Sequence, residues 1–138
     1  MELLFAHSAD YAGVDGSGKL TIVGAFDILW HAAGQGPIAF PPFYLVAAFE
    51  ASIAEGADHK IEIRLVDDDE VTHSNIISGA LQFRAHGVGH QARANLLIGF
   101  ASDVVTVPDL GDYYFRFKVG GTDVGEVRVS ALAQPTKA

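Results

Sequence analysis

Along nearly the whole chain apolar and polar residues alternate with a period of two, in runs bounded by Gly, Pro, Asp or Asn, while helical periodicity is hard to find. Such alternation sends one set of side chains into a core and leaves the other in water, the pattern of half-buried strands. Over residues 60–65, Ile61, Ile63 and Leu65 point one way and Lys60, Glu62 and Arg64 the other. Residues 113–119 repeat this, with Tyr113, Phe115, Phe117 and Val119 facing inward against Tyr114, Arg116 and Lys118. Residues 126–131 do the same with Val127, Val129 and Ala131. Further strands are predicted over 3–11, 19–29, 43–50, 77–84 and 95–101. The set is that of an all-β fold, a single antiparallel Greek-key β-sandwich of about eight strands.

Two connections are legible as hairpins. Gly120-Gly121-Thr122-Asp123 supplies the positive φ of a tight turn, and the glycine-rich stretch 13–18 joins the first two strands. Leu110-Gly111-Asp112-Tyr113 has the composition of a tyrosine corner, in which a Tyr at the start of a late strand bonds back across the connection. An ordinary core tyrosine is the alternative.

Some strands are apolar on both sides. Val23 and Ala25 oppose Ile22 and Phe26, Val46 and Ala48 oppose Leu45 and Phe49, and Leu97 opposes Leu96 and Ile98. A two-layer sandwich leaves one face of each sheet in water, so these faces call for a covering segment or another subunit. Residues 31–42, rich in Ala, Gly and Pro, could cover them. Self-association is favoured, because twofold dimers are the commonest soluble assemblies, and Val23, Val46, Ala48 and Leu97 are the interface candidates.

Composition narrows the function. A chain of 138 residues with 49% apolar and 19% charged side chains suits one folded domain over 1–138. The net charge of −8, with Lys and Arg scattered singly, would repel phosphate backbones, so neither nucleic acid nor an anionic membrane is an expected partner. No window holds the 18 or more apolar residues of a spanning helix, and the acidic start with a short apolar stretch reads as a strand, not a secretory leader. The absence of cysteine excludes a disulfide framework and a Cys nucleophile, and agrees with a cytoplasmic location.

Candidate chemistry is sparse. His86 and His90 have the spacing of metal ligands on a helix, but Gly87 and Gly89 lie between them and no Glu adjoins His86, so exposed loop histidines are the better reading. Asp67-Asp68-Asp69-Glu70 follows a strand, and Asp67 and Asp69 could join Asp109 and Asp112 as oxygen ligands for calcium. The spacing matches no EF-hand loop, and a solvated turn is the plainer alternative. Tyr11, Trp30, Phe40, Phe43 and Tyr44 could make an aromatic platform for a sugar ring, against core burial. No Gly-x-Ser-x-Gly and no Gly-Lys-Ser/Thr phosphate loop occurs, and no cofactor is expected.

The segments Ala9-Asp10-Tyr11-Ala12 and Gly18-Lys19-Leu20-Thr21-Ile22-Val23-Gly24-Ala25-Phe26-Asp27 resemble an uncharacterised family of small bacterial proteins, a domain of unknown function. The likeness continues through Pro41-Pro42, Arg64-Leu65-Val66-Asp67 and Gly111-Asp112-Tyr113-Tyr114-Phe115, and so covers nearly the whole chain. Its departures, at 31–36 and 86–90, fall in loops. The resemblance implies a cytoplasmic β-sandwich and brings no catalytic site. A non-enzymatic interaction or assembly module, self-associating or bound to another protein, is the first reading. A module binding carbohydrate or calcium at the end loops is the second, and a metal-dependent enzyme using His86 and His90 the third.

Overall fold

The structure, a computed structural model, describes residues 1–31, 37–85 and 89–135, with backbone alone at Asn75 and Ile76. Among these residues the chain is all-β. Its strands are β1 (Glu2–Val14), β2 (Leu20–Phe26), β3 (Ile28–His31), β4 (Ile38–Ala39), β5 (Phe43–Ser52), β6 (Asp58–Asp67), β7 (Thr72–Gln82), β8 (Arg84–Ala85), β9 (Gln91–Phe100), β10 (Thr106–Val107), β11 (Gly111–Val119) and β12 (Thr122–Ala133). No helix among them is long and apolar enough to cross a membrane.

The first sheet has the order β2-β1-β5-β9-β8, the second β3-β12-β11-β6-β7, and β4 pairs with β10 alone. Ladders are antiparallel apart from β3 with β12, which is parallel. The sheets face each other across one core, where Phe43 of β5 meets Phe115 of β11 at 5.8 Å and Phe49 meets Phe117 at 5.9 Å between ring centroids. The period-2 pattern accounts for these contacts directly. Phe43, Leu45, Ala47, Phe49 and Ala51 of β5 lie in the core, as do Tyr113, Phe115, Phe117 and Val119 of β11.

The strand predicted over 19–29 is in fact two. Phe26 lies opposite Ser8 in the first sheet and Ile28 opposite Ser130 in the second, with the Ser130 N–H donating to the Asp27 carbonyl at 2.8 Å. Phe26 and Leu29 both turn toward the core while Ile28 and Trp30 turn outward, so the inward phase shifts by one residue at Asp27, and a stretch apolar on both sides leaves no mark of that shift in the sequence. The described part of the proposed covering segment also departs from expectation. Ile38 and Phe40 enter the core, Phe40 packing on Phe43 at 5.4 Å and on Phe115 at 6.1 Å, instead of lying over an outer face. Residues 32–36 fall outside the described residues.

Between β11 and β12, Gly120 and Gly121 have φ of 59° and 83°, the left-handed pair that a two-residue hairpin turn needs. The Tyr113 hydroxyl donates to the Asp109 carbonyl at 2.7 Å, four residues upstream, so the tyrosine corner forms.

Candidate functional site

The two sheets present very different outer faces. On the second, Lys60, Glu62 and Arg64 of β6 stand beside Arg116 and Lys118 of β11 and Glu126 and Arg128 of β12, as the register dictates. Arg116 bonds Glu70 and Glu126, which raises its pKa further and keeps it charged, and lowers that of Glu70. Ile28, Trp30 and Leu132 form a small apolar edge beside these charges.

The outer face of the first sheet is apolar. Its rows, read across β2, β1, β5 and β9, are Val23 and Tyr11; Ala25, Ala9, Tyr44 and Gly99; His7, Val46 and Leu97; and Phe5, Ala48 and Asn95. All four interface candidates, Val23, Val46, Ala48 and Leu97, therefore share this one face. Only two of them can touch a partner: Val23 is 53% exposed and Leu97 37%, whereas Val46 is 0% and Ala48 5%. The small side chains of the central strand are flanked on both sides by those of β1 and β9. Tyr11, 50% exposed, and Phe5, 37%, are further large side chains that this face presents.

Glycine makes this face flat. The Tyr11 hydroxyl lies against Gly13 and the Tyr44 ring against Gly99, positions where an added Cβ would crowd the ring. Both tyrosines can thus recline on the sheet, with their rings in edge contact at 5.5 Å. Phe5 and His7 stack at 5.9 Å on the same strand.

Among the described strand residues of this face, charge appears at one end, as a row running across four strands: Glu2 on β1, Glu50 on β5, Arg93 on β9 and Arg84 on β8. Arg93 Nε donates to Glu50 Oε2 at 3.2 Å. Two acids and two bases leave the row with no net charge.

At the opposite end of the sandwich a cleft of about 230 Å³ is lined by Asp67, Asp69, Asp109 and Asp112, together with His73 and Tyr113. The four carboxylates proposed as calcium ligands line this one cleft, and two of them, Asp67 and Asp112, are engaged within the protein. Asp67 accepts from the Asp69 and Val71 N–H groups at 2.9 and 3.0 Å and pairs with His73 at 2.8 Å. The His73 bond, with the two backbone bonds, holds the Asp67 carboxyl below the usual carboxylate range. Asp112 accepts from the Ser130 hydroxyl, and Asp68 from the Tyr114 hydroxyl at 2.8 Å. Among the described residues no three His, Asp or Glu side chains gather in a way that could hold a metal ion.

His86 lies outside the described residues. His90 is exposed in the turn before β9, far from the carboxylate cleft. The proposed aromatic platform divides: Tyr11 and Tyr44 lie on the first sheet's outer face, Phe40 and Phe43 in the core, and Trp30 on the second sheet. Sequence reasoning missed Phe5, His7 and the four-strand charge row. Alternation shows which residues share a side of one strand, but only pairing shows which strands are neighbours.

No curated protein matches the chain. A family described as being of unknown function, DUF6941, matches residues 4–131, which takes in both sheets in full apart from the first two residues of β1 and the last two of β12. The chain belongs to this family of unknown function.

Proposed function

We propose that the chain is a non-enzymatic interaction and assembly module, and that it associates with a second copy of itself through the outer face of the first sheet. The observation that carries this is the contrast between the two outer faces, one charged and one apolar, in a protein where both could face water. Exposed Tyr11, Phe5 and Leu97, with the half-buried Tyr44 among them, are the composition of interface centres. A copy of the same chain suits the face because its charges cancel there, although the whole chain carries −8. Four strands spaced ~4.8 Å apart and ~30 Å long give roughly 600 Å², near the ~800 Å² each partner contributes to a standard interface. The cysteine-free sequence goes with residence in the cytoplasm.

Light scattering on the purified protein tests this. The expected result is a defined dimer whose mass is unchanged by calcium, and a Leu97→Glu variant that is monomeric yet folded by circular dichroism. A strict monomer at high concentration would overturn the proposal.

A further inference from the structure

We infer that the open seam between β1 and β12 is a docking groove for an extended, basic segment of a partner protein, which adds to the free edge of β1 as a further strand. The groove is a different surface from the one proposed above for self-association and does not depend on it.

The seam follows from where β2 and β3 stop. β2 pairs with β1 only over residues 8–14, and β3 with β12 only over 130–133. The chain crosses from one sheet to the other between these two ladders, at Asp27. Among the described residues, residues 2–7 of β1 and 122–129 of β12 therefore have no strand on that side. Cα atoms of the two strands come within 8 Å of each other, yet no backbone hydrogen bond among the described residues joins them. A Cβ on Gly125 would collide with Leu3, so glycine lets the two edges close up at that point. Clefts of about 710 and 280 Å³ lie on either side of it.

A strand edge with unpaired N–H and C=O groups is a template for another strand. Main-chain bonds supply affinity, and alternate side chains, ~6.8 Å apart on one face, enter pockets beside the edge. The larger cleft is lined by Leu3, Val119 and Val124 with Glu2 and Asp123, the smaller by Ala6, Phe26 and Val127 with Ser8, Asp27 and Arg128. Glu55 and Glu126 also line them, but are held by the Met1 amino group and by Arg116. Among the described residues Glu2, Asp27 and Asp123 have no side-chain ion pair, and Arg128 is the one lysine or arginine lining either cleft. Three free carboxylates against one guanidinium, in a chain of net charge −8, suit a segment bearing Lys or Arg and repel a second copy of this chain.

Ser8 is an independent sign of an occupant. It lies opposite the core residue Leu45 and is 0% exposed, and its hydroxyl has no hydrogen-bond partner among the described residues. An unpartnered buried hydroxyl costs stability where alanine would not, and a polar group on the incoming strand would satisfy it.

Fluorescence anisotropy on the full chain at low ionic strength tests the groove with a labelled Gly-Lys-Val-Lys-Val-Lys-Gly peptide, its glutamate counterpart, and a lysine copy methylated on alternate backbone nitrogens. The lysine peptide is expected to bind and the glutamate peptide not to. Methylation removes backbone donors and keeps the charge, so it should raise Kd about tenfold or more. Asp27→Lys and Asp123→Lys should each raise it about tenfold, and Leu97→Glu, on the other surface, should leave it within about twofold. The bound lysine peptide should also slow hydrogen exchange at the amides of residues 2–7. No binding of the lysine peptide, equal affinity of the methylated copy, or charge reversals without effect each overturn the groove. The oligomeric state of Leu97→Glu bears on the proposed dimer alone, so failure of one reading leaves the other standing.

Discussion

Both oxygens of the Asp67 carboxylate are in use, Oδ1 closing the turn after β6 and Oδ2 holding His73. Asp15 has a like role between β1 and β2, accepting from the Ser17 hydroxyl and from the Ser17 and Lys19 N–H groups, and its carboxyl is held low by them, the hydroxyl first. A carboxyl whose pKa is lower in the folded chain than in the unfolded one adds stability above the unfolded value, and that stability is lost as pH falls through the folded value. The melting temperature is therefore expected to hold steady from pH 7 down to about 4.5 and to fall steeply below about 4, where these two carboxyls and Glu70 take up protons. Asp67→Asn should melt lower at pH 7 and show a shallower acid limb in the same circular dichroism series; parallel limbs would remove Asp67 as a cause. Tyr113→Phe isolates the tyrosine corner. Losing the bond to the Asp109 carbonyl should cost about 1 kcal/mol and lower the melting temperature by about 3–5 °C, measured by calorimetry at pH 7.

Among the elements, β5 shows what a strand at the centre of a sheet requires. It is paired along its length with β9 and over most of it with β1, its inward Phe43, Leu45 and Phe49 are large, and its outward Val46 and Ala48 are small enough to be screened by their neighbours. Phe49→Ala should cost about 3–5 kcal/mol in urea unfolding, since it empties a site packed on Phe117. The core residues of β5, β6 and β11 were legible in the sequence because period-2 alternation is a property of each strand alone. The sheet assignments were not, because they depend on pairing between distant segments. Residues 19–29 are apolar on both sides, which hides the one-residue shift of phase at Asp27 where the chain leaves one sheet for the other, and 38–40 reads as a Pro-flanked loop yet delivers Ile38 and Phe40 to the core. The same limit applies to the candidate site. Val23, Val46, Ala48 and Leu97 could be singled out as surplus apolar residues, but only the register gathers them on one face and adds Phe5, Tyr11 and the charged row.

In the molecule as a whole, one sheet turns charge outward and the other turns away from it, so salt should act on the two faces differently. Screening weakens the exposed pairs of the second sheet and the end row of the first, but not the burial of apolar surface. The proposed dimer should accordingly weaken modestly between 50 and 500 mM salt without being abolished, as light scattering across that range would show. The parallel ladder between β3 and β12 has a different bearing, on how the chain comes to be folded. Among the described residues, Ile28 to His31 pairs with Ser130 to Ala133, far along the chain. During synthesis the early strands leave the ribosome with an open edge that nothing nearby in the chain can fill, so closure of the second sheet waits until β12 has been made. Refolding from urea should be slow, in the millisecond-to-second range of proteins dominated by distant pairings. A chain ending at Val119 should remain unfolded even though it contains the whole of the first sheet.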